Sequence, residues 1–300
     1  MIVRKVAVLG AGVMGAQIAA HLVNCNVPVI LFDLPAKEGD PDGIVKKGIA
    51  GLAKLEPAPL GTKDRAAHIG VANYATGLAR LAECDLVIEA IAERLDWKRD
   101  LYAKIVPHLA PHAVLATNTS GLSLAALSDA LPAAIRPRFC GVHFFNPPRY
   151  MHLLELIPGP ATEPRLLDEL ERFMVTTLGK GVVRAKDTPN FIANRIGVFS
   201  IVATMVHTER SGLGYDVVDA LTGPAIGRPK SASFRTVDVV GLDTMAHVIG
   251  TMRDTLPGDP WHAHFAVPKV VAALVSKGAL GQKAGAGFYR RQGRAIEVLD

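Results

Sequence analysis

The run Val6-Ala7-Val8-Leu9-Gly10-Ala11-Gly12-Val13-Met14-Gly15 constrains this chain more than any other segment. Four apolar residues stop at a GxGxxG turn, and a helical pattern follows. That order opens a βαβ unit built to receive a dinucleotide. Gly10 permits the tight turn out of the strand, Gly12 leaves room for a pyrophosphate, and Gly15 lets the helix pack close to the strand. The phosphates would meet unpaired N–H groups at the helix N-terminus, at Val13, Met14 and Gly15. Val27 to Phe32 reads as a second strand ending in Asp33, an acid about twenty residues beyond the glycines, where ribose hydroxyls are held. A carboxylate there repels a 2′-phosphate, and the following Leu34 and Pro35 offer no cation to hold one. The expected cofactor is NAD rather than NADP.

The rest of the chain extends this frame. Buried strands are expected at 84–90, 113–118 and 139–145, and helices at 42–54, 97–109 and 122–130, the last with Ser120 or Ser123 near its start. Such alternation gives a Rossmann-type, largely parallel α/β sheet with helices on both faces. A further strand at 153–157, a helix at 164–178 and a last strand at 181–185 follow a proline-rich turn. Beyond Asp187-Thr188-Pro189 the strand signals vanish. Thr188 can cap a helix with Pro189 at its first position, running to about Ser211. The expected division is 1–187 for the dinucleotide-binding domain and 188–300 for an all-helical domain that contributes substrate and dimer contacts.

Composition narrows the function classes. The 300 residues are 49% hydrophobic and 20% charged, enough for two soluble globular domains. The net charge of +5 comes without a long Lys/Arg run or an aromatic-interleaved basic stripe, so nucleic acid is not an expected partner. No run of about twenty apolar residues suggests a membrane span, and the first strand begins too early for a presequence. Cys25, Cys84 and Cys140 are too few and too far apart for a disulfide framework or a zinc site, which fits free thiols in the cytoplasm. His262-x-His264 has no further ligands near it, and no metal is expected.

Two titratable residues flank the turn Asn146-Pro147-Pro148-Arg149. His143 precedes it in Gly141-Val142-His143-Phe144-Phe145, and Glu155 follows it between leucine residues. If the two strands pair back across the turn, both side chains reach one mouth of the sheet. A one-residue slip would turn one of them away. A carboxylate inside an apolar strand is costly unless paired. A histidine held by a carboxylate has a fixed tautomer and greater basicity, which suits a general base for an alcohol proton.

With these residues in view, the chain resembles the L-3-hydroxyacyl-CoA dehydrogenases of fatty acid β-oxidation. The likeness runs through the glycine turn; Val87-Ile88-Glu89-Ala90 with Glu93 and Lys98; Thr117-Asn118-Thr119-Ser120; His143-Phe144-Phe145-Asn146-Pro147; and Leu154-Glu155. It continues through Lys186 to Arg195, Val240-Gly241-Leu242-Asp243-Thr244, and Gly285-x-Gly287-Phe288-Tyr289. The resemblance implies that His143 is the base, Glu155 its orienting partner, Ser120 a partner of the reacting 3-oxygen, and Asn194 a residue that positions substrate and cofactor. It places Glu93, Lys98 and Asn118 with the cofactor and Asn146 with the substrate. Lys46, Lys47 and Lys54 are candidates for the phosphates of an acyl-CoA. The family also implies a homodimer.

The chain departs from single-function members at Gly227 to Arg235 and at Pro148-Arg149-Tyr150. Both stretches look closer to the dehydrogenase part of larger fatty acid oxidation proteins, which implies fusion to, or association with, an enoyl-CoA hydratase part. The alternatives are a 3-hydroxybutyryl-CoA dehydrogenase of short-chain metabolism, another 3-hydroxyacid dehydrogenase, and an NAD-binding module without catalysis.

Overall fold

The computed structural model of the chain describes residues 2–293 and 295–299. Two compact units result, Met1–Phe191 and Ile192–Asp300.

The first unit is built on eight strands: β1 (Val6–Leu9), β2 (Val29–Asp33), β3 (Ile69–Asn73), β4 (Leu86–Glu89), β5 (Val114–Thr117), β6 (Phe139–Phe144), β7 (Leu153–Pro158) and β8 (Gly181–Arg184). Their order across the sheet is β3-β2-β1-β4-β5-β6-β7-β8. The first six are parallel to one another, while β7 runs antiparallel to β6 and parallel to β8. The helices are α1 (Val13–Asn24), α2 (Gly43–Gly51), α3 (Leu95–Ile105), α4 (Leu124–Ser128) and α5 (Pro164–Thr176). Strand alternation divides the interior into two apolar layers. Val6 and Val8 face Ile18 and Leu22 of α1 and Leu166 and Leu170 of α5. Ala7 and Leu9 face Leu101 and Ile105 of α3 and Leu124 and Leu127 of α4. Both faces are covered, so the strands read as continuous apolar runs.

Strand β3 was not anticipated. Ile69-Gly70-Val71-Ala72-Asn73 is short, contains a glycine, and pairs only with β2 at the sheet edge. An edge strand needs little apolar character, which removes its signal from the sequence.

The helix expected from Pro189 begins instead at Ala193, as α6 (Ala193–Ser211). Asn190 and Phe191 have φ of 59° and 49°, the left-handed region that a right-handed helix excludes. The first compact unit runs to Phe191. Phe191 packs into the layer of Leu9 and Leu124. Asp187 accepts hydrogen bonds from Leu124 N (2.9 Å), Ala125 N (2.9 Å) and Ser123 Oγ (3.0 Å), which binds this segment to the first unit.

The second unit packs α6 with α7 (Tyr215–Thr222), α8 (Phe234–Val240), α9 (Leu242–Thr255) and α10 (Lys269–Ser276) around Phe234, Met245, Ile249 and Phe288. It is helical with one addition to the all-helical expectation, the antiparallel pair β9 (Tyr289–Gln292) and β10 (Ala295–Val298). Both strands are largely exposed, so no buried alternation announces them. The Gly285-x-Gly287-Phe288-Tyr289 segment serves this fold. Asp238 accepts from Phe288 N (2.9 Å) and Tyr289 N (2.8 Å), and a Cβ on Gly287 would lie 2.0 Å from the same carboxylate. Among the described residues no helix is long and apolar enough to cross a membrane.

Candidate active site

The C-terminal ends of the six parallel strands share one edge of the sheet, and the strand order reverses at β1 and β4. Ligands of doubly wound folds bind at such a point. The glycine turn lies there. Gly10 has φ of 104°, and a Cβ on it would meet Ala90 O at 2.8 Å. A Cβ on Gly15 would lie 1.8 Å from Gly10 O, so helix and strand approach as closely as backbones allow. Gly12 has no heavy atom within 4 Å of where its Cβ would stand, which leaves that side open. The first helical bond is Ala16 N to Gly12 O (3.0 Å), so the N–H groups of Val13, Met14 and Gly15 precede the helical ladder. Asp33, at the end of β2, accepts from Ala11 N (2.6 Å) and Leu34 N (2.7 Å), which fixes its carboxylate beside the turn. A cleft of about 360 Å³ opens here, lined by Gly10, Gly12, Asp33, Tyr74, Trp97 and Lys104 among others. Open backbone at Gly12, free helix N–H groups and a fixed acid are what a dinucleotide requires, so the residues present fit NAD.

At the other side of the edge, β6 and β7 pair so that His143 stands directly opposite Glu155. His143 Nδ1 is 2.8 Å from Glu155 Oε2, and both residues are buried. The Phe145 ring lies 4.4 Å from the imidazole and the Phe191 ring 5.6 Å, centre to centre. The pair is thus oriented by strand register and enclosed by aromatic rings.

Ser120 follows β5 in the turn leading to α4. The cap of α4 is Ser123, whose hydroxyl accepts from Ala126 N. Ser120 is exposed, and its N–H donates to Glu93 Oε1 (2.8 Å). The same oxygen accepts from Gly121 N (2.9 Å) and the Thr119 hydroxyl. Burial acts to raise the Glu93 pKa, but the Lys98 ammonium and these hydrogen bonds outweigh it and hold the carboxyl below the ordinary range. Lys98, expected along the cofactor, is paired within the protein. It is 1% exposed, and its Nζ donates to the fully buried Glu89 at 2.6 Å. Glu89 also accepts from Thr117 Oγ1 (2.7 Å), Ile91 N (2.8 Å) and Tyr102 OH (3.1 Å). This buried network around Glu89 was not anticipated from the sequence. The signal was present, since a carboxylate ending the apolar run Leu86-Val87-Ile88 demands partners as Glu155 does.

The remaining candidates are dispersed. Asn118 Oδ1 accepts from Phe144 N (2.9 Å), tying β5 to β6 beside His143. Asn146 Oδ1 accepts from Gln17 Nε2 (3.0 Å), which links the turn after β6 to α1. Asn194 stands half-buried in the first turn of α6, in the second unit. Lys46 is exposed, pairs with Asp40 at 2.5 Å, and borders a separate cleft of about 760 Å³ between α2 and β3. Lys47 and Lys54 are exposed and do not line that cleft. Sequence reasoning also missed the fixing of the Asn146 turn. Lys180, buried, donates to Pro148 O and to Met151 O (3.0 Å), and Arg149 donates to Ala58 O (2.7 Å) and Leu60 O (2.6 Å).

A doubly wound sheet with an open glycine turn and a fixed acid defines a nicotinamide-linked oxidoreductase frame. Residues 5–188 match the family described as 3-hydroxyacyl-CoA dehydrogenase, NAD binding domain, and residues 191–291 match its C-terminal domain. A probable 3-hydroxyacyl-CoA dehydrogenase of Deinococcus radiodurans is 44% identical over 97% of this chain and 84% of its own length. One from Bacillus subtilis is 41% identical over 99% of this chain, which spans 40% of that protein. The solved structure of M. tuberculosis FadB2 superposes with a TM-score of 0.82 at 29% identity, covering 97% of this chain and 100% of that one. The chain belongs to the 3-hydroxyacyl-CoA dehydrogenase family, whose enzymes are oxidoreductases acting on CH–OH groups with NAD.

Proposed function

We propose that the chain oxidises (S)-3-hydroxyacyl-CoA to 3-oxoacyl-CoA in fatty acid β-oxidation. The observation that carries this reading is the buried 2.8 Å contact between His143 Nδ1 and Glu155. With Nδ1 committed to the carboxylate, Nε2 is the nitrogen that takes the substrate's hydroxyl proton. Glu155 holds the ring and offsets the charge of the imidazolium. General-base assistance of this kind is worth about two to four powers of ten in rate. Bound NAD supplies the hydride acceptor. Ser120 donates a hydrogen bond to the 3-oxygen, while Phe144, Phe145 and Phe191 keep water from the imidazole. Asn146 and Asn194 are assigned to substrate positioning on the strength of the family likeness. Lys46, Lys47 and Lys54 are the candidates for the acyl-CoA phosphates, and of the three Lys46 borders the cleft between α2 and β3. Assembly as a homodimer through the second unit, or fusion or association with an enoyl-CoA hydratase part, completes the reading. The 40% span of the Bacillus subtilis relative supports a longer assembly. Two buried and one half-buried free thiols suit the reducing cytoplasm.

The test follows NADH formation with short, medium and long (S)-3-hydroxyacyl-CoA, and with the corresponding free 3-hydroxy acids. Turnover of thioesters in preference to free acids is expected. Turnover of free acids alone, or NAD binding without turnover of any of them, overturns the reading.

A further inference from the structure

A cleft of about 410 Å³ in the first unit is lined by His21 and Asn24 of α1, by Gly61, Thr62 and Arg65, and by Arg149. None of the catalytic or cofactor candidates lines it, and no carboxylate does. Both guanidiniums are anchored through one nitrogen. Arg65 Nη1 donates to Val23 O (2.6 Å) and Asn26 Oδ1 (2.5 Å), and Arg149 Nη1 to Ala58 O and Leu60 O. Among the described residues these are the only hydrogen bonds of the two side chains, so Nε and Nη2 of each still have protons to donate. The third group is His21, which is 7% exposed. Its Nε2 donates to Leu178 O at 3.0 Å, and its buried Nδ1 has no hydrogen-bond partner. A buried acceptor left alone costs free energy, so this one calls for an explanation. The charged groups facing the imidazole are Lys180, ahead of β8, and Arg149 in the β6–β7 turn. The Cys25 thiol, one turn further along α1, lies near Lys180 and Arg65. The field around Nδ1 is therefore cationic, and with burial it holds the ring neutral.

We propose that this cleft binds a phosphate group, inorganic phosphate or a phosphate monoester, with one proton held between His21 Nδ1 and a phosphate oxygen. Two guanidiniums offer planar forks of the kind that bind phosphate oxygens in pairs. A phosphate has three oxygens to divide among two guanidiniums and an imidazole, whereas a carboxylate has two. The lone Nδ1 also selects phosphate. Above neutral pH the free phosphate is a dianion and the ring is neutral, so neither carries a proton for the contact. The complex takes one from water, and the anion cancels the field that keeps the imidazole from accepting it. The cleft shares Gly61 and Thr62 with the larger one between α2 and β3, so the phosphate has two possible sources. It is either the 3′-phosphate of CoA or that of a separate phosphorylated molecule. The inference goes beyond the dehydrogenase reading, since binding is measured without turnover.

The test is titration calorimetry of the full chain with inorganic phosphate, at constant ionic strength, in two buffers of different ionisation enthalpy. The pair of buffers gives both the affinity and the protons taken up. At about pH 8 the unmodified chain should bind phosphate with uptake of roughly one proton, and the affinity should rise as pH falls towards 7. His21→Gln, which can still donate to Leu178 O, should bind phosphate more weakly and without proton uptake. Arg65→Gln and Arg149→Gln should each lose about tenfold or more in affinity, the worth of a charge-assisted hydrogen bond. Arg65→Lys keeps the cation but not the fork, and it should fall between Arg65→Gln and the unmodified chain. Thermal midpoints report whether each variant folds. If Arg65→Gln does not fold, Arg65→Lys and His21→Gln carry the test. A second series compares CoA with 3′-dephospho-CoA. Proton uptake and sensitivity to His21→Gln with CoA alone identify the 3′-phosphate as the occupant. Phosphate binding that CoA does not displace identifies a separate phosphorylated molecule. The proposal is overturned if phosphate binds no better than chloride, if the variants bind it as the unmodified chain does, or if no proton is taken up. Failure to oxidise any 3-hydroxyacyl thioester would sink the dehydrogenase reading and leave this one standing.

Discussion

His143 and Glu155 are direct cross-strand partners on antiparallel β6 and β7, with Nδ1 and Oε2 2.8 Å apart and neither side chain open to solvent. Strand register fixes this pair, so the tautomer of the imidazole is set by the fold. His143→Gln is expected to lower kcat at least about a hundredfold while NADH affinity is retained. Glu155→Gln should also lower kcat, with a smaller loss. Steady-state rates beside fluorescence titration with NADH check both. A His143→Gln enzyme that keeps its rate would place the base elsewhere.

The glycine turn offers a contrast within three residues. A Cβ at Gly12 meets nothing within 4 Å, whereas one at Gly15 falls 1.8 Å from Gly10 O. Gly12→Ala should therefore fold with an unchanged thermal midpoint and bind NADH about tenfold or more weakly, because the methyl group occupies the phosphate approach. Gly15→Ala should lose stability, since α1 must move away from β1. Equal thermal loss in the two variants would refute the separation of roles.

These two sites were the most legible parts of the sequence, and for a shared reason. A glycine at a crowded turn and a carboxylate in an apolar strand each break a local rule, and each break has few remedies. The β6–β7 pairing followed from a short turn and two apolar runs. The helix expected from Pro189 was misread because the left-handed Asn190 and Phe191 interrupt it, and although asparagine tolerates that conformation, phenylalanine gives no sign of it. Strand β3 and the β9–β10 pair were invisible because edge and surface strands need no apolar alternation. Lys98 was placed with the cofactor by the family resemblance alone, and residue type gives no sign of its surroundings. Only coordinates reveal that it is buried against Glu89.

Asp187 shows how a segment distant in sequence holds the Ser120 region. Its carboxylate accepts from Leu124 N, Ala125 N and Ser123 Oγ. Asp187→Ala leaves two N–H groups without an acceptor and should cost about 1–3 kcal/mol, read as a lower urea midpoint. Asp187→Asn, with one acceptor oxygen, should lose less. Equal stability of the Ala variant and the unmodified chain would show that water replaces the carboxylate.

His21 makes stability depend on pH. Its Nε2 bonds Leu178 O at 3.0 Å and so carries the proton of the neutral ring, while the buried Nδ1 has no hydrogen-bond partner. Burial, reinforced by Lys180 and Arg149 and opposed by the Leu178 carbonyl, lowers its pKa from 6.5 to about 4. The unfolded chain therefore binds a proton that the folded chain refuses as pH falls from 6.5 towards 4, and folding weakens over that window. Such a displacement corresponds to about 3 kcal/mol. His21→Gln can still donate to Leu178 O but does not titrate. Urea midpoints between pH 7 and pH 4 should fall more steeply for the unmodified chain than for His21→Gln, the carboxylates being common to both. Parallel curves would mean that the imidazole finds an acceptor for its second proton when it is charged.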